Sequence, residues 1–242
     1  MENQMNNNYS STFGNFSAAD ALPEERVAFI RKTYLHLAGA IAIFVLMEAY
    51  LVTSGAGEWV ARTMLGSGLS WLVVLAAFMG VSFLANMWAN SQTSKPMQYM
   101  GLGLYIVAEA IIFLPLLYLA ARRSNDYEIF AKSGIVTLGL FLGLTAVVFL
   151  TKKDFSFLGP ILMIGGFVAL GFIISGAVFG FSLGSLFAFV MVAFAGGAIL
   201  FNTSNVLHRY NTNQHVAASL SLFASIALLF WYILQIFMGS DD

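Results

Sequence analysis

The chain has 242 residues, of which 59% are hydrophobic and only 10% are charged, and its formal net charge is -1 at pH 7. A soluble domain keeps much of its surface in water and carries about 25% charged residues, so this composition excludes a soluble fold. The lack of excess positive charge argues against nucleic-acid binding, and the absence of cysteine excludes disulfides and thiolate chemistry. The composition predicts a membrane protein that crosses the lipid bilayer several times.

Residues 1–25 differ from the rest of the chain because they are polar and rich in Asn and Ser. They lack the basic start and the apolar run of a signal peptide, so we interpret them as a disordered polar tail. The transmembrane domain is then expected over residues 26–242. Within residues 22–33, charged and apolar side chains are spaced as in a short amphipathic helix, which would lie at the membrane surface before the first span.

A membrane-spanning helix needs about 20 predominantly apolar residues. Seven segments meet this requirement, near residues 34–54, 69–89, 98–120, 129–150, 157–180, 182–201 and 216–238. The fifth and sixth segments are almost continuous, so six spans with a shallow last segment remain an alternative. We expect an all-α membrane protein built as a bundle of seven transmembrane helices.

The distribution of Lys and Arg indicates the orientation, because basic residues favour the cytoplasmic side. With seven spans, the side of the N-terminus carries Arg26, Arg31, Lys32, Lys95, Lys152, Lys153 and Arg209, and the opposite side carries Arg62, Arg122, Arg123 and Lys132. This asymmetry favours a cytoplasmic N-terminus, although the adjacent pair of arginines on the opposite side argues against it. The polar tail and the lack of an organelle signal favour a bacterial inner membrane.

Glycines recur every fourth residue inside two regions, at Gly139 and Gly143 and at Gly176, Gly180 and Gly184. Small residues at this spacing let helix backbones approach closely in a membrane. We therefore expect tight helix packing at these positions.

Two ionisable residues lie well inside the predicted spans: Glu109 at the centre of the third and Glu48 two thirds of the way along the first. A charge at the bilayer centre costs about 2.5–3.5 kcal/mol even on the lenient insertion scale, so both side chains should face the bundle interior. They are candidates for an ion pathway, with Asn86 and Asn90 as candidate neighbours. The alternative is a neutral, hydrogen-bonded carboxylic acid that only fixes packing.

Motifs for catalysis are weak. Residues 180–184 match the G-x-S-x-G pattern around Ser182, but that motif requires a strand-to-helix turn followed by an acid and a histidine. No His-Glu-x-x-His zinc motif occurs, and residues 216–238 contain no lysine for a retinal. We expect no enzyme, no catalytic residues, no metal centre and no cofactor, and an intramembrane hydrolase based on Ser182 is a distant alternative.

Three stretches of the chain carry a family resemblance. Residues Thr145–Gly159 resemble the fourth-to-fifth span signature of the Bax inhibitor-1 family. Residues Asn202–Tyr210, followed by Val216–Leu222, are similar to the family's pattern between its sixth and seventh spans, and Tyr232–Gln235 completes its last span. The resemblance covers about residues 26–237, and bacterial members are the most similar in type.

This resemblance implies a seven-helix bundle in which six helices surround the last one. Bacterial members behave as pH-sensitive calcium leak channels, and eukaryotic members restrain cell death and calcium release at the endoplasmic reticulum. In the family pattern, two aspartates on the sixth and seventh helices share a proton and form a latch. This chain has Asn202 and Ser225 at those positions. Neither side chain titrates near neutral pH, so the resemblance implies a latch that is altered or absent.

The sequence therefore predicts an integral membrane protein that leaks cations, either calcium or protons, past Glu109 and Glu48. Carboxylate oxygens are ligands that calcium prefers. His208 is a candidate pH-responsive group at the membrane face, because histidine titrates near neutrality, and its alternative is a hydrogen-bonded interfacial side chain. The competing hypothesis is a non-conducting, stress-regulatory interaction protein that binds other membrane proteins.

Overall fold

The computed structural model describes residues 17–91, 94–124 and 128–239. These ranges form eight α-helices: α1 (Pro23–Thr53), α2 (Ala56–Met64), α3 (Gly68–Ala89), α4 (Lys95–Ser124), α5 (Glu128–Thr151), α6 (Leu158–Phe179), α7 (Gly184–His208) and α8 (His215–Gly239). All except α2 are long and apolar enough to cross a membrane. The prediction of an all-α protein with seven helices that are able to span a membrane is confirmed.

The first span begins earlier than the hydropathy pattern predicts. The expected surface helix over residues 22–33 is continuous with the first span, and Pro23 begins the resulting 31-residue helix. Proline suits this position because its fixed φ is helical and its missing N–H has no helical acceptor there. Glu24 and Glu25 follow in the first turn, where the positive end of the helix dipole favours acidic groups.

Part of the predicted tail is ordered. The Ala18 amide donates a hydrogen bond of 2.8 Å to the Tyr210 carbonyl in the connection between α7 and α8. The Ala18 side chain is fully buried. The ordered chain therefore starts before the predicted boundary at residue 26, and the rest of the tail, residues 1–16, lies outside the described residues.

A short helix occupies the connection between the first two spans. The sequence shows only a polar separator around residues 58–62, but α2 forms there and buries Gly57 and Ala61. A Cβ at position 57 would meet the ring of Tyr118 on α4, at 2.8 Å from its Cδ2. The missing side chain at position 57 therefore lets α2 lie against the end of the third span.

The last helix occupies the centre of the bundle. Helix α8 packs against α1, α3, α4, α5 and α7. In its most apolar window, 56% of the residues are buried, against 6–22% in α1, α3, α5, α6 and α7. Helix α4 is as enclosed, at 61%. The central position expected for the last helix is confirmed, and the helix that carries Glu109 shares the interior with it.

Close backbone approach occurs at a glycine that the spacing pattern did not identify. A Cβ added at Gly139 or Gly143 would meet nothing within 4 Å, so the predicted tight contact there is wrong. A Cβ at Gly101 would instead lie 2.5 Å from the Ala85 carbonyl oxygen and from the Ala89 amide nitrogen. The α3–α4 contact therefore depends on Gly101, which the structure places against the small residues of α3.

We expect Gly101→Ala to lower the free energy of unfolding by about 1–3 kcal/mol, because the added methyl group has no space against the α3 backbone. Thermal unfolding of the purified protein in detergent micelles measures this loss. Gly139→Ala is the matched control and is expected to change the value by less than about 0.5 kcal/mol. Equal shifts in the two variants would contradict the assignment of the close contact to Gly101.

Candidate ion pathway

Glu109 faces a cavity inside the bundle. It lies near the middle of α4, its side chain is only 5% exposed, and the Tyr105 hydroxyl one turn earlier is its hydrogen-bonding partner. The cavity has a volume of about 480 Å³ and lies among α3, α4, α6, α7 and α8. We name it the polar cavity, and its polar lining residues are Asn86, Tyr105, Glu109, Asn202, Ser221, Ser225 and Tyr232.

Asn202 and Ser225, the two positions for which the family resemblance predicts aspartates, meet in this cavity. The Asn202 Nδ2 donates a hydrogen bond of 2.8 Å to the Ser225 Oγ and a longer one of 3.3 Å to the Ser221 carbonyl. The Ser225 hydroxyl in turn donates to the Ser221 carbonyl at 3.0 Å. An uncharged side-chain hydrogen bond therefore joins α7 to the central helix.

The hydrogen-bonded chain continues toward the side of the N-terminus. The Ser221 hydroxyl donates to the Ala217 carbonyl at 3.1 Å, and the Tyr210 hydroxyl lies 2.8 Å from the Ser221 Oγ. Burial raises the pKa of the Tyr210 hydroxyl above its ordinary value of 10.0. Tyr210 therefore stays protonated at neutral pH and donates to Ser221.

Glu48 lines a second cavity. This apolar cavity has a volume of about 370 Å³ and lies between α1, α4, α5 and α8. Glu48 is 5% exposed, and neither of its carboxyl oxygens has a hydrogen-bond partner in the part of the chain that the structure describes. The residue lies five positions, or about 7 Å, from the end of α1, nearer the membrane face opposite the N-terminus.

Aromatic rings that line the two cavities contact one another. Glu48 and Glu109 lie within electrostatic range of each other. Phe44 and Phe223 line the apolar cavity, and Phe113 lines the polar cavity. The ring centroids of Phe44 and Phe113 are 5.2 Å apart, and those of Phe44 and Phe223 are 5.7 Å apart. These three contacting rings, each of which lines one of the two cavities, are named the aromatic partition.

His208 lies apart from both cavities, at the end of α7. Its Nδ1 donates to the Ser204 carbonyl at 3.0 Å and lies 3.4 Å from the Ser204 hydroxyl. The same hydroxyl accepts from the Phe155 amide at 2.9 Å and donates to the Asp154 Oδ1 at 3.3 Å. His208 therefore belongs to a cluster that fastens the α5–α6 connection to α7.

Asp154 gives this cluster a pH dependence. The Ser156 amide donates to its Oδ1 at 2.8 Å, and this bond, with those from the Ser156 and Ser204 hydroxyls and the nearby Arg209, holds the pKa of Asp154 below its ordinary value. A carboxylate with a lowered pKa stabilises the fold above its ordinary pKa of about 4, and this contribution is lost as the pH falls through the lowered value.

We expect Asp154→Asn to lower the midpoint of thermal unfolding by the same small amount at pH 6 and at pH 8, because Asp154 is fully ionised throughout that range. The difference between wild type and variant should shrink only below about pH 4. Unfolding measured in detergent from pH 3 to pH 8 provides the test. A difference that instead changed between pH 6 and pH 8 would contradict the assignment of this pH dependence to Asp154.

Ser182 lies on the opposite side of the membrane from the three histidines. It is exposed in the link between α6 and α7, after the fifth span, whereas His36, His208 and His215 lie on the side of the N-terminus. Within the described ranges, Ser182 makes no hydrogen bond to a histidine or a carboxylate. The geometry gives the hydrolase hypothesis no support.

Sequence reasoning identified the two carboxyl groups but missed most of their surroundings. Asn86 lines the polar cavity with Glu109 as expected, whereas Asn90 does not line it and instead donates to the Asn86 carbonyl. Tyr105 and Ser221 were missed, although each lies one helical turn before a candidate residue and therefore on the same helix face. Among the described residues, no group of three His, Cys, Asp or Glu side chains could hold a metal ion.

Comparison with known proteins identifies the family. The family model described as "Inhibitor of apoptosis-promoting Bax1" matches residues 26–242. The chain belongs to the Bax inhibitor family. Bax inhibitor 1 of Schizosaccharomyces pombe is 30% identical to it over 90% of this chain and 79% of the relative.

Other relatives of the chain show similar coverage. An uncharacterized protein of Pseudomonas aeruginosa is 31% identical over 81% of this chain and 88% of its own length. Protein lifeguard 4 of Mus musculus is 26% identical over 90% of this chain and 87% of its own length. No solved structure matches the chain. The chain is therefore similar to bacterial, fungal and animal proteins, and the match to the family model confirms the resemblance found in the motifs.

Proposed function

We propose that this Bax inhibitor family protein is a cation leak channel that lets calcium or protons pass slowly through the bundle. The observation that supports this proposal best is the pair of buried carboxyl groups, Glu109 and Glu48, each at the wall of a cavity. Neither forms an ion pair with Lys or Arg among the residues that the structure describes. Buried carboxyl groups without such partners are expensive in a membrane and mark ion or proton routes.

The depths of the polar groups suggest a route across the membrane. Tyr210 lies at the face of the N-terminus, Asn202 and Ser225 lie deeper, and Glu109 lies near the middle of α4. Glu48 lies nearer the opposite face, beyond the aromatic partition. A cation that moves through the polar cavity to Glu109 and then to Glu48 would have oxygen atoms beside it at each stage except the partition.

The oxygen atoms of the polar cavity suit a hard cation. Carboxylate, amide and hydroxyl oxygens are ligands for calcium, and tight calcium sites supply six to eight of them. Here the lining combines one carboxyl group with amides and hydroxyls, so a passing cation keeps part of its water shell. Weak coordination allows release, which conduction requires.

The Asn202–Ser225 hydrogen bond suggests a changed gate. It keeps α7 against the central helix without an ionisable group, because amide and hydroxyl groups hold no titratable proton near neutral pH. We infer a leak that lacks the pH latch expected from the family resemblance.

Separate observations support the proposed membrane and the proposed orientation of the chain in it. The similarity to a Pseudomonas protein supports a bacterial inner membrane. The excess of basic residues on the N-terminal side supports a cytoplasmic N-terminus.

The aromatic partition favours a second candidate function. Three phenylalanine rings between the cavities would exclude hydrated ions if the bundle did not move. In that case the protein would be a non-conducting interaction protein that binds other membrane proteins in a stress response.

Calcium flux into dye-loaded liposomes that contain the purified protein distinguishes the two functions. The leak proposal expects flux above that of protein-free liposomes, with strong dependence on Glu109. A folded and correctly inserted protein that gives no calcium or proton flux at pH 6 or pH 8 would contradict it and favour the interaction protein.

A further inference from the structure

A cluster of basic side chains lies at the membrane face of the N-terminus, away from both cavities. His36 on α1 and His215 at the start of α8 contact each other, with ring centroids 4.9 Å apart. Lys32 and Lys95 lie within electrostatic range of His215. No carboxylate forms an ion pair with either lysine in the described part of the chain. The cluster therefore brings together the charges of two lysines, from α1 and α4, beside the histidine that begins α8, without a protein counter-ion among the described residues.

The hydrogen bonds of the cluster leave one histidine unsatisfied. The His36 Nδ1 lies 2.7 Å from the Lys32 carbonyl, which can only accept, so this nitrogen carries the proton. The His36 Nε2 lies 3.1 Å from the Tyr99 hydroxyl and forms a hydrogen bond with it. In contrast, the Nδ1 of His215 is buried without a partner, and this side chain is only 9% exposed. An unpaired buried polar atom is costly, which indicates a ligand there.

The position of the cluster favours a lipid phosphate as this ligand. Lys95 and His215 are the first residues of α4 and α8, so two helix N-termini with their positive dipole ends meet at the cluster. Leu35 and Met100, next to His36 and Tyr99 in the sequence, are 63% and 57% exposed. An anionic phospholipid would place its phosphate on the basic groups and its acyl chains on these apolar side chains.

We propose that Lys32, Lys95 and His215 bind the phosphate group of an anionic phospholipid in the leaflet on the side of the N-terminus. The two ammonium groups attract the phosphate, and the otherwise unpaired His215 Nδ1, in the tautomer in which it carries the proton, donates a hydrogen bond to a phosphate oxygen. His36 holds the His215 ring in place through their contact. This site is independent of the proposed leak, because none of its residues lines either cavity.

The test uses the full chain in mixed micelles and measures the midpoint of thermal unfolding as the mole fraction of phosphatidylglycerol increases. Phosphatidylcholine and inorganic phosphate are the comparison ligands. We expect phosphatidylglycerol alone to raise the midpoint of the wild type. The variant Lys32→Gln with Lys95→Gln should need about 25-fold more of this lipid for half of the effect, because each lysine contributes about fivefold.

Two further variants separate a site from diffuse surface charge. Lys152→Gln with Lys153→Gln removes the same charge from the same membrane face, and we expect it to leave the lipid requirement within about twofold. His215→Phe keeps a ring against His36 but removes the nitrogen atoms, and it should raise the requirement about threefold to tenfold.

Three outcomes would overturn the proposal. Equal weakening in the two double-lysine variants would show general attraction to the membrane surface. An equal effect of phosphatidylcholine would show that charge is not recognised. Stabilisation by inorganic phosphate without any effect of phosphatidylglycerol would assign the cluster to a soluble anion.

Discussion

Replacing Glu109 with Gln is expected to lower calcium flux into liposomes by about tenfold or more. The substitution keeps the size of the side chain and its hydrogen bond with Tyr105, so the fold should persist. It removes the one carboxyl group that lines the polar cavity among the described residues. An interaction with a fully charged group contributes about 1.5–3 kcal/mol to the free energy of binding. Its loss corresponds to a decrease of at least about tenfold in the occupancy of the cavity by the cation.

The control for this experiment is Glu58→Gln. Glu58 lies on α2, outside both cavities, with its carboxylate paired to Arg62 at 2.6 Å. We expect this variant to keep wild-type flux. Equal amounts of inserted protein and equal thermal midpoints must be established for all three proteins before their fluxes are compared.

A Glu109→Gln protein that is folded and inserted, and that conducts calcium as the wild type does, would contradict the proposed route. If neither the wild type nor the Glu109→Gln variant conducts calcium or protons, the hypothesis of a non-conducting interaction protein gains support. Substitutions at lipid-facing or loop positions should then alter function, whereas Glu109→Gln should not.

The spans were predictable because membrane insertion depends on local composition. Each of α1 and α3–α8 contains enough apolar residues to meet the length requirement without any knowledge of its neighbours. Helix α2 was not predictable in this way, since its nine residues are stabilised by contact with Tyr118 rather than by burial in lipid. Hydropathy identifies helices that are long and apolar enough to cross a membrane, and it misses a short helix that packs against another helix.

Of the candidate site, the sequence predicted only the two residues whose burial inside a membrane costs the most free energy. Glu109 and Glu48 stand out because charge is rare inside a span, but their meeting with other polar groups depends on how the helices rotate and pack. The contact between Gly101 and the α3 backbone helps to set that packing, and it involves residues 12 or more positions apart in the chain. For the same reason, histidines that look scattered in the sequence, such as His36 and His215, turn out to be neighbours.

Introducing a pair of aspartates, Asn202→Asp with Ser225→Asp, is expected to give the leak a pH dependence of severalfold between pH 6 and pH 8. In the wild type, the Asn202 Nδ2 and the Ser225 Oγ lie 2.8 Å apart. Two carboxyl groups at that distance cannot both ionise without strong repulsion, so they share a proton and titrate as a pair. Loss of the shared proton should separate α7 from α8 and increase flux. Calcium flux into dye-loaded liposomes at several pH values measures the effect.

The single variants Asn202→Asp and Ser225→Asp are the matched controls. Each places one carboxyl group beside an uncharged hydrogen-bonding partner, so neither can form a pair that shares a proton. We expect both to lack the added pH dependence. If a single variant acquires the same pH response, the response comes from an isolated carboxyl group in the polar cavity. A double variant that is folded but does not respond to pH would show that α7 and α8 stay in contact at positions 202 and 225 whatever the pH. The gate would then lie elsewhere, and the aromatic partition would be the next candidate.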